Sequence, residues 1–215
     1  MNLTNFSKII IVDATSAELK VALCIDSKLS AVSQTKAQAM EGFFQALHDV
    51  CKQCNLSEIE AFALCTGTGS ILGTRTASVG IATITKFTNA KIFEYNCMEV
   101  ATFALADSGE NNFSLFTPSR KGFANILNFN GAITLLKEIQ ISDIDNFAFD
   151  KKILLWQRDK VNDALAQFQT YKLDEQHTLD TLMQHPHLAH LCSDTPDAKS
   201  LTEREYVKWK AQVHI

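Results

Sequence analysis

The sequence predicts an α/β protein whose first half has the element order βββαβαβα, built on a βββαβα core. Three apolar runs near the start of the chain are joined by short polar turns, which indicates an antiparallel meander of strands. Two later apolar runs each lead into a segment with helical spacing, which indicates strands alternating with helices. Together these patterns predict a sheet covered by helices.

The elements of the first half follow in order. The first strand is a β-branched run that ends at Asp13, and a polar turn over residues 13–16 leads into the second strand. A second turn, Asp26-Ser27, precedes the third. The predicted strands are 8–12, 19–25, 29–35, 61–66 and 91–95, and the predicted helices are 36–54, 74–89 and 98–106.

The acidic stretch 107–112, which contains Gly109, is the predicted boundary between a first subdomain, residues 1–107, and a smaller second subdomain, residues 108–215. Beyond it we expect strands at 113–116, 123–129, 133–140 and 153–156, a helix at 179–184, and a polar tail from Ser193. No internal sequence repeat is evident.

Composition narrows the function classes. The net charge is −4 and the Lys and Arg residues are scattered, so we expect no direct binding of nucleic acid by this chain. No apolar run approaches the length of a membrane helix, and no signal-peptide core is evident. The cysteines lie mostly in apolar stretches, which is typical of buried, reduced thiols. We therefore expect a cytoplasmic protein.

Gly67, Gly69 and Gly73 lie between a predicted strand and a predicted helix, where backbone N–H groups can hold an anion. A P-loop is excluded because Gly67 and Gly73 are one residue too far apart and no Lys follows. A dinucleotide site could use Glu94 at the end of the next strand, but it belongs after the first strand of a parallel βαβ unit. The third interpretation is a structural turn, in which glycines let a strand lie close to a helix.

Two motifs resemble a known family. Residues 10–16, followed by Val21-Ala22-Leu23, resemble the opening strand and turn of TsaB-type (YeaZ-type) proteins, with Asp13, Thr15 and Ser16 in the turn. The stretch 67–75 is similar to that family's G-P-G-S-F-T-G-L-R signature, with Thr68 and Ile71 replacing Pro and Phe. The matching positions are Gly67, Gly69, Ser70, Gly73 and Arg75.

The resemblance implies an actin-like, ribonuclease-H-like (ASKHA) fold of two related subdomains. It also implies a non-catalytic scaffold that binds a TsaD-type catalytic subunit and an associated TsaE-type ATPase in tRNA threonylcarbamoyladenosine modification. Family members commonly form a homodimer through their first two helices, using the surface that also meets TsaD. The resemblance implies no cofactor for this subunit.

The sequence lacks chemistry that an active actin-like enzyme would use. Asp13 is followed by Ala14-Thr15-Ser16, with no Gly, and no His-x-x-x-His pair occurs. This favours a partner role over two alternatives, an actin-like nucleotide-binding enzyme of phosphoryl or carbamoyl transfer and a dinucleotide-binding oxidoreductase. Ser70 has no neighbouring base in the sequence that would make it a nucleophile.

Two groups of possible metal ligands have simpler interpretations. Cys51 and Cys54 have zinc-type spacing, but no second pair accompanies them, so a core pair is predicted. His185, His187 and His190 surround Pro186, which prevents a helix there, so a solvated turn is predicted. We expect no metal.

The helix after the glycine loop carries no charge between Arg75 and Lys86, so it is either wholly buried or meets another chain on one side. On the preceding helix, an apolar stripe that includes Phe43 and Phe44 faces the predicted core, and a strip of small residues lies opposite it. We predict a helical interface formed by small residues, namely Ala39, Gly42, Ala46, Ser78, Ala82 and Thr85.

Overall fold

The computed structural model of the chain describes residues 1–36, 39–157, 161–192 and 195–196. The strands are β1 Lys8–Asp13, β2 Leu19–Ile25, β3 Lys28–Thr35, β4 Ala61–Cys65, β5 Lys91–Tyr95, β6 Asn112–Pro118, β7 Phe123–Asn130, β8 Ile133–Gln140, β9 Lys152–Leu155, β10 Gln169–Tyr171 and β11 His190–Leu191. The helices are α1 Ala39–Val50, α2 Ile71–Thr85, α3 Cys97–Asp107, α4 Ile144–Phe147, α5 Asp163–Ala166 and α6 Glu175–Gln184.

The strands form two sheets with the same topology. The first has the order β11-β5-β4-β1-β2-β3 and the second has the order β10-β9-β6-β7-β8. In the first sheet β1, β2 and β3 are antiparallel neighbours, and β4 and β5 run parallel to β1. In the second, β6, β7, β8, β9 and β10 take the same places in the same directions. The chain therefore folds the same unit twice, although its sequence shows no repeat.

Alternation along the strands divides the interior into separate cores. On β1, Ile9 and Ile11 face one core, and Ile10 and Val12 face another, as the two-residue period of a strand requires. The core on the Ile10 side is covered by α1 and α2. The core on the Ile9 side lies between the two sheets and includes α3 and α6. A third core covers the outer face of the second sheet.

The second half of the chain returns to the first sheet. Helix α6 packs against α3 and also contacts β2 and β3, and β11 pairs with β5 at the sheet edge. The predicted boundary at residue 107 coincides with the end of α3, but residues 175–192 pack with the first sheet. Two continuous segments therefore match the order of the strands along the chain, but the last part of the second segment packs with the sheet of the first.

Helices α1 and α2 pack closely because α2 has a glycine where they meet. A Cβ atom on Gly80 would lie 2.5 Å from Cε1 of Phe43, and Phe43 itself is fully buried. The buried apolar side chains described on α1 are Phe43, Ala46, Leu47 and Val50, a stripe with spacing i, i+3, i+4, i+7. The prediction that Phe44 faces the core is therefore wrong, and its side chain is 58% exposed.

Most of the sequence predictions for regular elements agree with the structure. The strands at 19–25, 91–95 and 133–140 begin and end where predicted, whereas β10, β11, α4 and α5 were not predicted. The predicted solvated turn is confirmed in part: His187 and His190 are exposed, whereas His185 Nε2 lies 3.0 Å from Asp107 Oδ2 and its ring lies against Phe103. None of the described helices is long and apolar enough to cross a membrane.

One buried ion pair ties α6 to the first sheet. Lys20 on β2 and Glu175 on α6 are 7% and 9% exposed, and Lys20 Nζ lies 3.3 Å from Glu175 Oε1. Lys20 Nζ also donates to the carbonyl of Leu173, and Gln34 Nε2 donates to Glu175 Oε1. Removing one partner of such a pair leaves a buried charge without compensation.

We predict that Lys20→Met lowers the free energy of unfolding by about 3–5 kcal/mol and that adding Glu175→Gln recovers most of this loss. Urea unfolding measures both. Lys8→Met is the matched control, since the Lys8–Glu58 pair is solvent-accessible and should change stability little. A double variant as unstable as Lys20→Met would contradict the electrostatic explanation.

Candidate functional site

The turn after β1 is held by its own aspartate. Asp13 Oδ1 accepts hydrogen bonds from the backbone N–H of Thr15, at 2.8 Å, and from Thr15 Oγ1, at 2.6 Å. Ser16 Oγ donates to the carbonyl of Glu18 at 2.7 Å, which closes the turn on its far side. An aspartate that bonds backbone two residues ahead forms a stable turn without any glycine. The turn therefore has a fixed shape, and it lies at the edge of the sheet where β4 also ends.

The glycine loop packs directly on this turn, backbone against backbone. Ser70 donates its N–H to the carbonyl of Thr15 at 2.8 Å. A Cβ atom on Gly69 would lie 2.2 Å from that same carbonyl oxygen, and one on Gly73 would lie 2.3 Å from the carbonyl oxygen of Ala14. Gly69 also has a φ of +149°, which residues other than glycine rarely adopt. The glycines at positions 69 and 73 therefore serve close packing within the chain.

The first turn of α2 is capped by its own sequence. Ser70 is the N-cap, and its Oγ accepts the N–H of Gly73 at 3.1 Å. Gly67, at the other end of the loop, packs on α3, where a Cβ atom would lie 2.9 Å from the backbone nitrogen of Cys97. The sequence indicates possible anion binding at this loop, but in the structure these loop residues contact protein atoms.

The structure brings most of the family-signature residues together at this point. Asp13, Thr15 and Ser16 form the turn, and Gly67, Gly69, Ser70 and Gly73 form the loop that packs on it. Arg75 lies one turn further along α2 and is exposed. Because β1 and β4 are parallel neighbours, their C-terminal ends lie side by side, which is why two motifs about 50 residues apart in sequence meet.

A polar cleft of about 490 Å³ lies beside this contact and between the two sheets. The first half contributes residues of the turn and loop, including Ser16, Ala17 and Ser70, and the second half contributes Arg120, Asn125 and Gln157. The sequence patterns do not predict these second-half residues as part of a site. They reach the cleft from β7 and from the loops after β6 and β9, and nothing in their spacing indicates that those segments meet.

The inner wall of the cleft is a buried hydrogen-bonded network. Thr68 Oγ1 and Thr117 Oγ1 are 3.0 Å apart, and Asn125 Nδ2 donates to Thr117 Oγ1 at 3.1 Å. Gln157 Nε2 donates to the carbonyl of Thr68 at 2.5 Å. All four residues are at least nine-tenths buried, so the network links the two halves of the molecule at the base of the cleft.

Three thiols of the chain, those of Cys24, Cys51 and Cys65, are poorly suited to nucleophilic chemistry. Burial raises the pKa of Cys24 to about 12, and burial with the neighbouring Cys54 thiol raises the pKa of Cys51 to about 11. Burial likewise raises the pKa of Cys65, which lies beside Cys97. A nucleophilic cysteine needs the opposite shift. Within the described ranges, no group of three metal-ligating side chains comes together.

The predicted interface strip lies largely inside the protein. Gly42 and Ala46 are buried, and Ser78 is buried with its Oγ donating to the carbonyl of Pro196. Ala82 and Thr85 are half-buried, and Thr85 Oγ1 bonds to the carbonyl of Ala82. The side chain of Ala39 lies outside the described residues. The assignment of Gly42, Ala46 and Ser78 to an outer surface is therefore wrong, because these small residues allow close packing inside the protein.

A different set of residues forms the outer face of the two helices. Leu72 and Val79 lie seven residues apart on one side of α2 and are 67% and 63% exposed, and Phe44 on α1 is 58% exposed. Thr76 and Thr83 complete this side of α2. The result is a partly apolar surface on α2, with the exposed Arg75 and Lys86 beside it, and α1 adds the exposed aromatic ring of Phe44.

Two solved structures from Pseudomonas aeruginosa resemble the chain over most of their length. One is described as an uncharacterized protein with similarity to peptidase YEAZ and the other as YeaZ. Both superpose with a TM-score of 0.62 at 12% identity, and the matches cover 83% of this chain and 90% and 91% of those chains. This chain has the YeaZ fold. No protein-family model and no curated protein matches its sequence.

A Bacteroides thetaiotaomicron protein with an actin-like ATPase fold and unknown function also matches, with a TM-score of 0.48, 9% identity, and coverage of 83% of this chain and 96% of that one. The two sheets of identical topology make the fold actin-like, with two subdomains, as the resemblance implied. At 12% identity the likeness to YeaZ establishes the fold and leaves activity and partners to other arguments.

We predict that Gly69→Ala destabilises the protein by about 3 kcal/mol, since the new Cβ meets the Thr15 carbonyl and the φ value strains a non-glycine residue. Gly131→Ala is the control. Gly131 also has a positive φ but has open space around its Cβ position, so we expect a loss of about 1 kcal/mol. Thermal or urea unfolding compares the two, and equal losses would show that the close backbone contact contributes little.

Proposed function

We propose that the chain is a divergent TsaB-type (YeaZ-type) protein. In this proposal it is a non-catalytic, cytoplasmic scaffold that binds and stabilises a TsaD-type catalytic subunit, together with a TsaE-type ATPase, in tRNA threonylcarbamoyladenosine modification. The fold and the loop signature at Gly67, Gly69, Ser70, Gly73 and Arg75 support the family assignment. The role as a partner rests on the surface and the loop described above.

The observation that carries the partner role is the apolar face of α1 and α2. Leu72, Val79 and Phe44 are each more than half exposed, although the opposite side of each helix packs on the sheet. Exposed apolar residues that share one helix face mark an interaction surface more often than scattered ones do. Side chains of this size also gain roughly 1.5–3 kcal/mol each when they are fully buried.

The contact between the turn and the loop supports a role other than nucleotide chemistry. In a phosphate-binding loop, backbone N–H groups at the helix N-terminus are directed at the ligand. Here the N–H of Ser70 is bonded to Thr15, and that of Gly73 is bonded to the Ser70 side chain. Gly69 and Gly73 each approach a backbone carbonyl of the turn after β1. The loop therefore fits a structural role that sets the start of α2.

The same face suits both a homodimer and a complex with the catalytic subunit. It belongs to two neighbouring helices and is formed mainly by the uncharged residues Phe44, Leu72, Thr76, Val79 and Thr83, with Arg75 and Lys86 beside them on α2. In the proposal an isolated chain covers this face with a second copy, and the TsaD-type subunit replaces that copy. The corrected interface residues are thus Phe44, Leu72 and Val79, with the half-buried Ala82 at the edge.

We predict that Val79→Glu weakens binding of the TsaD-type subunit of the same organism at least about a hundredfold, since burial in the interface would remove the new carboxylate from water. The same variant should be monomeric by analytical ultracentrifugation. Titration calorimetry with the purified subunit measures the affinity.

Val32→Glu is the matched control for this substitution. Val32 is 42% exposed and pairs with Ala22, which belongs to the core on the side of the sheet opposite α1 and α2. Its binding should equal that of the unmodified chain. If Val79→Glu is folded and binds as tightly as Val32→Glu does, the α1–α2 face is not the interface.

A further inference from the structure

The cleft beside the glycine loop has two hydrogen-bond acceptors in its wall that the chain does not use. Asn125 and Gln157 are each 6% exposed and line the cleft. Each donates through its amide nitrogen, Asn125 to Thr117 and Gln157 to the carbonyl of Thr68. Within the described part of the chain, neither amide oxygen receives a hydrogen bond. Neither oxygen is buried in the protein interior, since Thr102 Oγ1 is the buried side-chain atom without a hydrogen bond among the described residues, so both oxygens are open to the cleft. A polar atom that lines a cleft can bond water or a ligand.

The volume of the cleft is that of a small-molecule binding pocket. Its volume of about 490 Å³ lies within the roughly 300–1,000 Å³ range of ligand pockets. Around its mouth are the hydroxyl groups of Ser16, Ser70 and Ser119, and the exposed methyl group of Ala17. The lining thus offers hydrogen-bonding groups on several sides, and the two amide oxygens are among them.

The charges of the described lining do not favour an anion. Arg120 is the charged residue among the described lining residues, and its Nε and Nη2 donate to Glu138 Oε2 at 3.2 and 3.1 Å. The guanidinium also lies over the ring of Phe123, at 3.8 Å from its centroid. A cation that is already paired with a carboxylate adds little attraction for a phosphate. At the loop, the backbone N–H groups of Ser70 and Gly73 are likewise bonded within the protein.

We propose that the cleft binds an uncharged, hydroxyl- or amino-bearing small molecule of about nucleoside size, whose donors meet Asn125 Oδ1 and Gln157 Oε1. The inference goes beyond the proposed scaffold role and does not depend on it, because the site is complete in a single chain. A ligand that spans the cleft contacts both halves of the molecule and holds them in one relative position. Binding therefore stabilises the folded chain.

Saturation-transfer NMR on the full, isolated chain tests this with four uncharged probes, namely adenosine, uridine, glucose and sucrose, and with AMP as the anionic counterpart of adenosine. We expect at least one uncharged probe to bind saturably with a Kd of about 1 mM or tighter, and AMP to bind no tighter than adenosine. Each probe is used alone, so the binding ligand identifies its own chemical class.

Two variants locate the binding. Asn125→Leu removes the amide oxygen, and Ala17→Trp fills the mouth of the cleft from an exposed position and leaves the backbone hydrogen bond from Ala17 to the carbonyl of Gln157 available. Each should weaken binding of the best probe at least about tenfold, whereas Ala132→Trp, at an exposed position in the β7–β8 turn, should not change it. The proposal is overturned if none of the four uncharged probes binds, if AMP binds at least about tenfold tighter than adenosine, or if folded Ala17→Trp binds as the unmodified chain does.

Discussion

The contact between the Asp13 turn and the first turn of α2 is the constraint on which the rest of the structure depends. Carbonyl oxygens of Ala14 and Thr15 lie where any Cβ atom at positions 73 and 69 would be. The chain can make this contact because Asp13 fixes the turn without a glycine and because both loop positions are glycines. The contact in turn fixes where α2 begins, and the starting point of a helix determines which of its residues face outward.

The consequences of that starting point can be followed along α2. With Ser70 as the N-cap, Ala77 and Ile81 face the sheet, Gly80 faces α1, and Leu72 and Val79 face outward. A shift of one residue would turn the helix by about 100° and would bring Val79 toward the side now occupied by Gly80. A loop that resembles a phosphate-binding element thus works as a spacer that presents an apolar helix face.

The doubled sheet gives the molecule two kinds of interior. Helices α1 and α2 cover one face of the first sheet, and α3 and α6 fill the space between the sheets. Helix α6 belongs to the second half of the chain and is bonded to β2 through Lys20 and Glu175. The two halves are therefore linked here as well as by the chain connection after α3. The cleft lies where the sheets diverge, and its wall is the Thr68–Thr117–Asn125 network.

Sequence patterns predicted the first half well for a physical reason. Its strands are buried or alternate regularly, and its turns contain Asp, Ser and Gly at positions that punctuate the chain. In contrast, β10 is three residues long and mostly exposed, and β11 is two residues long with both residues exposed, so neither has a hydrophobic pattern to detect. They form because β9 and β5 leave unpaired backbone groups at a sheet edge, to which β10 and β11 can bond.

The errors at the candidate site have a common cause. Ala46 was placed outside and Phe44 inside because the larger residue was expected in the core, but helices that pack closely need small residues at the contact. The same holds for Gly42 and Ser78. The cleft residues Arg120, Asn125 and Gln157 could not be predicted, because only the pairing of the second sheet brings them to the turn and loop.

Hydrogen–deuterium exchange of the chain, with and without the TsaD-type subunit of the same organism, tests the central claim most directly. The account predicts that amide exchange slows in α1, residues 39–50, and in α2, residues 71–85, when the subunit is added at a saturating concentration. Slower exchange confined to the second sheet, or no change at any position, would contradict the account.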